Sequence, residues 1–110
     1  MSRNMSPADP AAVFSALGDP TRLSIVRRLA DGEEGSINEL AAAFPISRQA
    51  LSKHLRVLEQ ARLVRSQRFG REVRFRLEQE ELARARAFLQ RVSDQWQSAL
   101  GRLADHIATD

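Results

Sequence analysis

The apolar positions of this chain recur at helical spacing along most of its length and alternate with arginines in one stretch, 64–77. The first period is that of an amphipathic helix and the second that of a half-buried strand. A short first helix is predicted over 11–17, with Val13, Phe14 and Leu17 apolar and Gly18 as its stop. Asp19-Pro20 restarts the chain, aspartate as N-cap and proline at the first helical position, and Leu23, Val26 and Leu29 carry a second helix to Asp31-Gly32. Ser36 and Glu39 have the spacing of a capping box and open a third, alanine-rich helix over 37–43. Pro45 cannot extend that helix and biases Phe44 toward extended geometry, so Phe44-Pro45-Ile46 is a break. Ser47 is the natural N-cap of a fourth helix over 48–61. Helix, tight break and amphipathic helix form a helix-turn-helix, with the third helix in support and the fourth as the reader.

The fourth helix faces two ways. At about 100° per residue, Ala50, Leu51, Leu55, Leu58 and Ala61 gather on one side, and Arg48, Gln49, Ser52, Lys53 and Arg56 on the other. The apolar side can dock on a small core, while the polar side carries the groups that reach base edges and phosphates. Free backbone N–H groups at the start of the helix, near Ser47, also favour a phosphate. Gln49 and Ser52 are candidates for base edges; Arg56 can reach bases or a phosphate. His54 falls on the buried side of the wheel, which leaves two roles open: a hydrogen-bonded packing residue, or a contact with backbone phosphate from the groove edge. Strand-like sequence follows over 64–69 and 72–77 around a Gly70-Arg71 turn, with Val73, Phe75 and Leu77 alternating with Arg74 and Arg76. Arg68, Arg71 and Arg74 in this basic hairpin are assigned to phosphate or minor groove, or in part to solvent.

Charge sharpens this reading. Residues 47–77 hold nine Lys/Arg against Glu59 and Glu72, a net +7 in a chain whose total is +3, so the remainder is −4. A basic stripe on a mildly acidic body is the footprint of a nucleic-acid binder; a solvated charged face is the blander alternative.

Beyond the hairpin, 80–108 is one long helical pattern in which Ala85, Leu89, Val92, Trp96, Ala99, Leu103 and His106 step by threes and fours, with Phe88, Leu100 and Ile107 widening the stripe. At about 1.5 Å per residue such a helix outruns a small core. Its excess apolar face either folds back on its own chain or pairs with a second copy. The second option gives a two-fold interface built from Leu89, Val92, Trp96, Leu100 and Leu103, with Val13, Phe14 and Leu17 of the first helix.

With 110 residues, the chain has room for one domain, expected over 10–110 after a flexible tail at 1–9. No cysteine is present, so there is no disulfide framework, thiolate metal site or cysteine nucleophile. No apolar leader or membrane-length apolar run occurs either, and a cytoplasmic protein is expected. Glycine-rich phosphate loops and Ser/His/Asp or paired-carboxylate arrangements are also missing, which argues against an enzyme. No cofactor is expected, and no residue names an effector.

The segments LGDPTRLSIVRRL (17–29), INELAAAFPISRQALSKHLRVLEQARLV (37–64) and GREVRFRL (70–77) resemble the ArsR/SmtB-type winged-helix transcriptional regulators. The resemblance implies a mainly α fold with a small β-hairpin, a winged helix-turn-helix with N- and C-terminal dimerisation helices. It also implies a homodimeric repressor on double-stranded DNA of dyad symmetry. Some positions depart from the family pattern. Ser36 and Asn38 stand where thiolate metal ligands would be, and no Asp/His and His/Glu set is found around 79–81 and Val92. No metal is expected in either familiar form. Arg62 occupies a position that is often glycine before the wing, which raises the cost of a left-handed turn there. A winged helix used only for protein assembly is the competing class, because fold alone does not decide function.

Overall fold

The computed structural model describes residues 9–31 and 34–108. The tail expected at 1–9 lies, apart from Asp9, outside the described residues, as does Gly32. Five helices and a small sheet follow in the order α1 (Pro10–Leu17), α2 (Pro20–Ala30), β1 (Gly35–Ser36), α3 (Ile37–Ala43), α4 (Arg48–Gln60), β2 (Val64–Phe69), β3 (Glu72–Leu77) and α5 (Gln79–Ala108). The mainly α winged helix-turn-helix anticipated from the sequence is the fold observed.

Local chemistry sets the helix starts. Asp19 accepts from the Arg22 N–H at 3.0 Å with Pro20 behind it, and Ser47 accepts from Ala50 N–H at 3.0 Å. Ser36 and Glu39 form the full reciprocal capping box, with Glu39 N–H donating to Ser36 Oγ at 3.1 Å and Ser36 N–H donating to Glu39 Oε1 at 3.0 Å. Phe44 leaves α3 in extended geometry (φ −126°, ψ 138°), as the residue before a proline must.

The core joins α1 through α4 to the wing. Val13 and Ala16, Ile25, Val26 and Leu29, Leu40, Leu51, Leu55 and Leu58 are buried together with Leu63, Val64, Phe75 and Leu77. The apolar side of α4 is therefore the side that docks.

Two features of the sheet extend the sequence reading. The hairpin is one side of a three-stranded antiparallel sheet in the order β1-β3-β2, with Gly35 opposite Phe75 and Ser36 opposite Arg74. A β-carbon at Gly35 would meet the Leu40 side chain at 3.0 Å, so the short strand runs close against α3 and a larger residue there would require Leu40 to shift. At the far end Phe69 faces Glu72 across a two-residue turn. Positive φ at Gly70 (65°), with Arg71 not in that region, is the type II′ pattern that suits a tight hairpin.

α5 runs 30 residues, about 45 Å at the helical rise. Leu82 and Ala85 pack on the core, and Phe88 meets the Phe14 ring of α1 at 5.9 Å between centroids. Beyond Phe88 the helix leaves the body of the chain, and Leu89, Val92, Trp96, Leu100, Leu103 and Ile107 are 42–64% exposed. Of the three α1 residues expected at an interface between copies, Val13 is instead buried in the core of its own chain, while Phe14 and Leu17 are half-buried. Val13 sits on the inward side of α1 because the helix is only two turns long and must use that side to dock.

Candidate nucleic-acid interface

Ser47, Arg48, Gln49, Ser52, Lys53 and Arg56 line one shallow depression on the outer side of α4. They come together because α4 buries Leu51, Leu55 and Leu58, and the helical period then turns these polar residues outward. The cap at Ser47 fixes where the helix begins and leaves its first N–H groups directed at the same surface.

Ion pairing sorts the basic residues. Among the described residues, Arg48, Lys53 and Arg56 on α4 and Arg68 and Arg71 at the wing tip have no carboxylate partner. Those at the wing base do: Arg65 bonds Glu78 at 2.6 Å, and Arg76 lies 4.0 Å from Glu34. Arg74, expected on the DNA side, is held by protein instead. Its guanidinium bonds Glu72 and Glu39, each at 3.2 Å, and Glu34 at 3.4 Å. The hydrogen bond that Arg74 donates to Glu72, with the charges of Glu39 and Glu72, favours the charged form of Arg74, against a smaller opposing effect of burial. Three carboxylates more than neutralise this arginine, which locks β3 to the start of α3. Within α4 and the hairpin, the cations without a carboxylate partner are thus those on the outer side of α4 and at the hairpin tip.

His54 also turns to protein. Its Nδ1 lies 3.3 Å from Arg22 Nη1 and 3.9 Å from Asp19 Oδ2, with its side chain 22% exposed. Arginine can only donate, so Nδ1 is the acceptor of that bond. Arg22 Nε meanwhile donates to the Ala16 carbonyl at 2.7 Å, closing the end of α1. One guanidinium thus ties α1, α2 and the middle of α4 together, and of the two roles open for His54 this is the packing one.

Three further residues, Ser66, Glu59 and Glu78, position the wing, and the sequence pattern carried no signal for them. Ser66 Oγ donates to Glu59 Oε2 at 2.8 Å, tying β2 to the last turn of α4, and Glu78 anchors Arg65. Arg62, between these elements, is the one non-glycine residue with positive φ among those described, at 63°. Arg62 N–H donates to the Glu59 carbonyl at 2.9 Å and Leu63 N–H to the Leu58 carbonyl at 3.0 Å. Those two bonds are a Schellman cap, with arginine where glycine is usual.

The helix-turn-helix domain family matches residues 17–67, the span from the end of α1 into β2. Over 101 residues the chain is 40% identical to the HTH-type transcriptional regulator Rv2034 of Mycobacterium tuberculosis, covering 92% of this chain and 91% of that one. An ArsR-like transcriptional regulator from Rhodococcus sp. RHA1 superposes with a TM-score of 0.78 at 38% identity, over 86% of this chain and 88% of that one. The chain belongs to the ArsR/SmtB family. A transcriptional repressor SmtB homolog of Synechocystis is 45% identical over 67 residues, 61% of this chain and 50% of that protein. Membership identifies this ArsR/SmtB chain as a DNA-binding transcriptional regulator. Neither position where the resemblance places a thiolate ligand carries one: Ser36 spends its hydroxyl on the α3 cap, and Asn38 offers only an amide. No helix among the described residues is long and apolar enough to cross a membrane.

Proposed function

We propose that this regulator is a cytoplasmic homodimeric repressor that occupies an operator of dyad symmetry. α4 lies in the major groove and the wing beside it, and the paired α5 helices set the distance between half-sites. The observation that carries this reading is the sorting of charge: the cations of α4 and the wing tip lack carboxylate partners while those of the wing base are neutralised. An exposed, unneutralised stripe is what counterion release from phosphates requires. In this reading Arg48, Lys53, Arg56, Arg68 and Arg71 take phosphates, Gln49 and Ser52 take base edges, and Ser47 with the helix start takes a further phosphate. The dimer rests on the exposed α5 stripe, together with Phe14 and Leu17. Repression follows the role named for relatives such as the Synechocystis repressor.

The test is to mix the purified protein with sheared genomic DNA from its source, compete with nonspecific DNA at moderate salt, and sequence the retained fragments. Enrichment of a dyad with half-sites about one helical turn apart, roughly 34–36 Å, is expected. A folded dimer that enriches nothing would replace this reading with a protein-assembly role.

A further inference from the structure

Phe69 is out of place for a structural residue. Of the five phenylalanines in the chain, Phe75 is buried, Phe44 packs on the core, and Phe14 and Phe88 pair with each other. Phe69 alone is exposed, at 49%, with no aromatic or core partner among the described residues. It sits at the last position of β2, next to the Gly70 turn, between the unpaired Arg68 and Arg71. Its cross-strand neighbour is Glu72, so no apolar pair in the sheet accounts for it.

Resting on the DNA-binding reading above, we propose that Phe69 is a specificity-determining contact, an apolar wedge that the wing tip sets into the minor groove beside each half-site. Three features fit that partner. The flanking guanidinium groups of Arg68 and Arg71 match the phosphate walls of a narrow groove. The two-residue turn makes the tip slim, with no side chain at Gly70 to block approach. The one nearby carboxylate that would repel DNA, Glu72, is bonded to Arg74 at 3.2 Å and so drawn from the tip. Apolar side chains entering the minor groove prefer A·T pairs, because the guanine 2-amino group stands in the groove floor. Phe69 therefore gives the protein a preference for A·T at positions that α4 does not touch.

The experiment uses the fragment recovered by the genomic selection, with the base pairs under each wing, located by footprinting, set to A·T, G·C or inosine·C. Inosine·C keeps the major-groove face of G·C but lacks the 2-amino group. The parent protein is expected to bind the G·C fragment about tenfold more weakly than the A·T fragment and to recover on inosine·C. Phe69→Ala should bind all three equally, at about the parent's G·C affinity and with an unchanged slope of log K against log salt. Arg71→Ala should keep the A·T preference and lower the magnitude of that slope by about 2 per dimer, one phosphate contact per wing. Phe69→Ala lies at an exposed tip, and an unaltered melting temperature checks its fold. A Phe69→Ala protein that keeps both affinity and A·T preference would overturn the wedge and leave the repressor reading standing. A parent protein that retains no specific fragment would remove both.

Discussion

At the scale of single residues, the proposed reading has α4 separate two kinds of DNA contact by chemistry. Arg56 is exposed and unpaired, so Arg56→Ala is expected to weaken binding to all sequences by a similar factor and flatten the salt dependence. Gln49 is uncharged and presents a bidentate amide, so Gln49→Ala should leave the salt slope alone and change base preference at one operator position, by about 1–3 kcal/mol. Binding titrations at several salt concentrations read both; unchanged operator affinity in both variants would mean that α4 presents the wrong surface. Arg62 makes a different prediction, about stability. Its αL backbone disfavours a β-carbon by roughly 1–2 kcal/mol, the cost that glycine would remove. Arg62→Gly is expected to stabilise the fold by about 1 kcal/mol and Arg62→Val, β-branched at positive φ, to destabilise it. Chemical denaturation at fixed protein concentration decides; loss of stability in the glycine variant would show that the Arg62 side chain outweighs its backbone.

Helix termini tie stability to pH at the scale of elements. Asp19 caps α2, and the Arg22 N–H it accepts from, helped by the nearby charge of Arg22, holds its carboxyl below the ordinary 3.8. A carboxyl lowered on folding contributes stability that is complete above the unfolded value and is lost as pH falls through the folded one. Asp19→Asn keeps a competent cap but cannot titrate. Unfolding titrations at pH 6 and pH 3 should therefore show a smaller acid loss in Asp19→Asn than in the parent, and equal losses would discount the cap. Glu39 adds to the same acid loss, since its bond to the Ser36 N–H and then Arg74 lower it likewise. The caps, the proline break and the two-sided α4 were legible in the sequence because each is a matter of spacing within a few residues. What escaped was long-range. β1 is two residues long and exists only through its pairing with β3, and Arg74 could not be separated from Arg71 until Glu34 and Glu39, far along the chain, were seen beside it. His54 was legible only as an alternative, since its partner Arg22 lies on another helix.

The whole molecule is extended by one element. Its radius of gyration is 18.6 Å, against about 13 Å for a compact chain of this length, and its longest dimension is 69 Å. The excess is the second half of α5, whose stripe was readable from its three-four spacing and whose departure from the core was readable from its length. Leu89, Val92, Trp96, Leu100, Leu103 and Ile107 line that half without touching the buried core. Contiguous apolar surface of this kind is what the proposed dimer would cover. A charge placed there should separate dimerisation from folding in a way that no core substitution can. Trp96→Glu combined with Leu103→Glu is expected to yield a folded monomer by sedimentation, with the cooperative melt of the winged domain retained. The parent's melting temperature should rise with protein concentration and the variant's should not. Operator affinity should fall by at least a hundredfold, because two half-sites bound as one unit become two independent weak encounters. A variant that stays dimeric would move the interface to α1 and the α1–α5 junction, and one that unfolds would mean that the stripe serves its own chain after all.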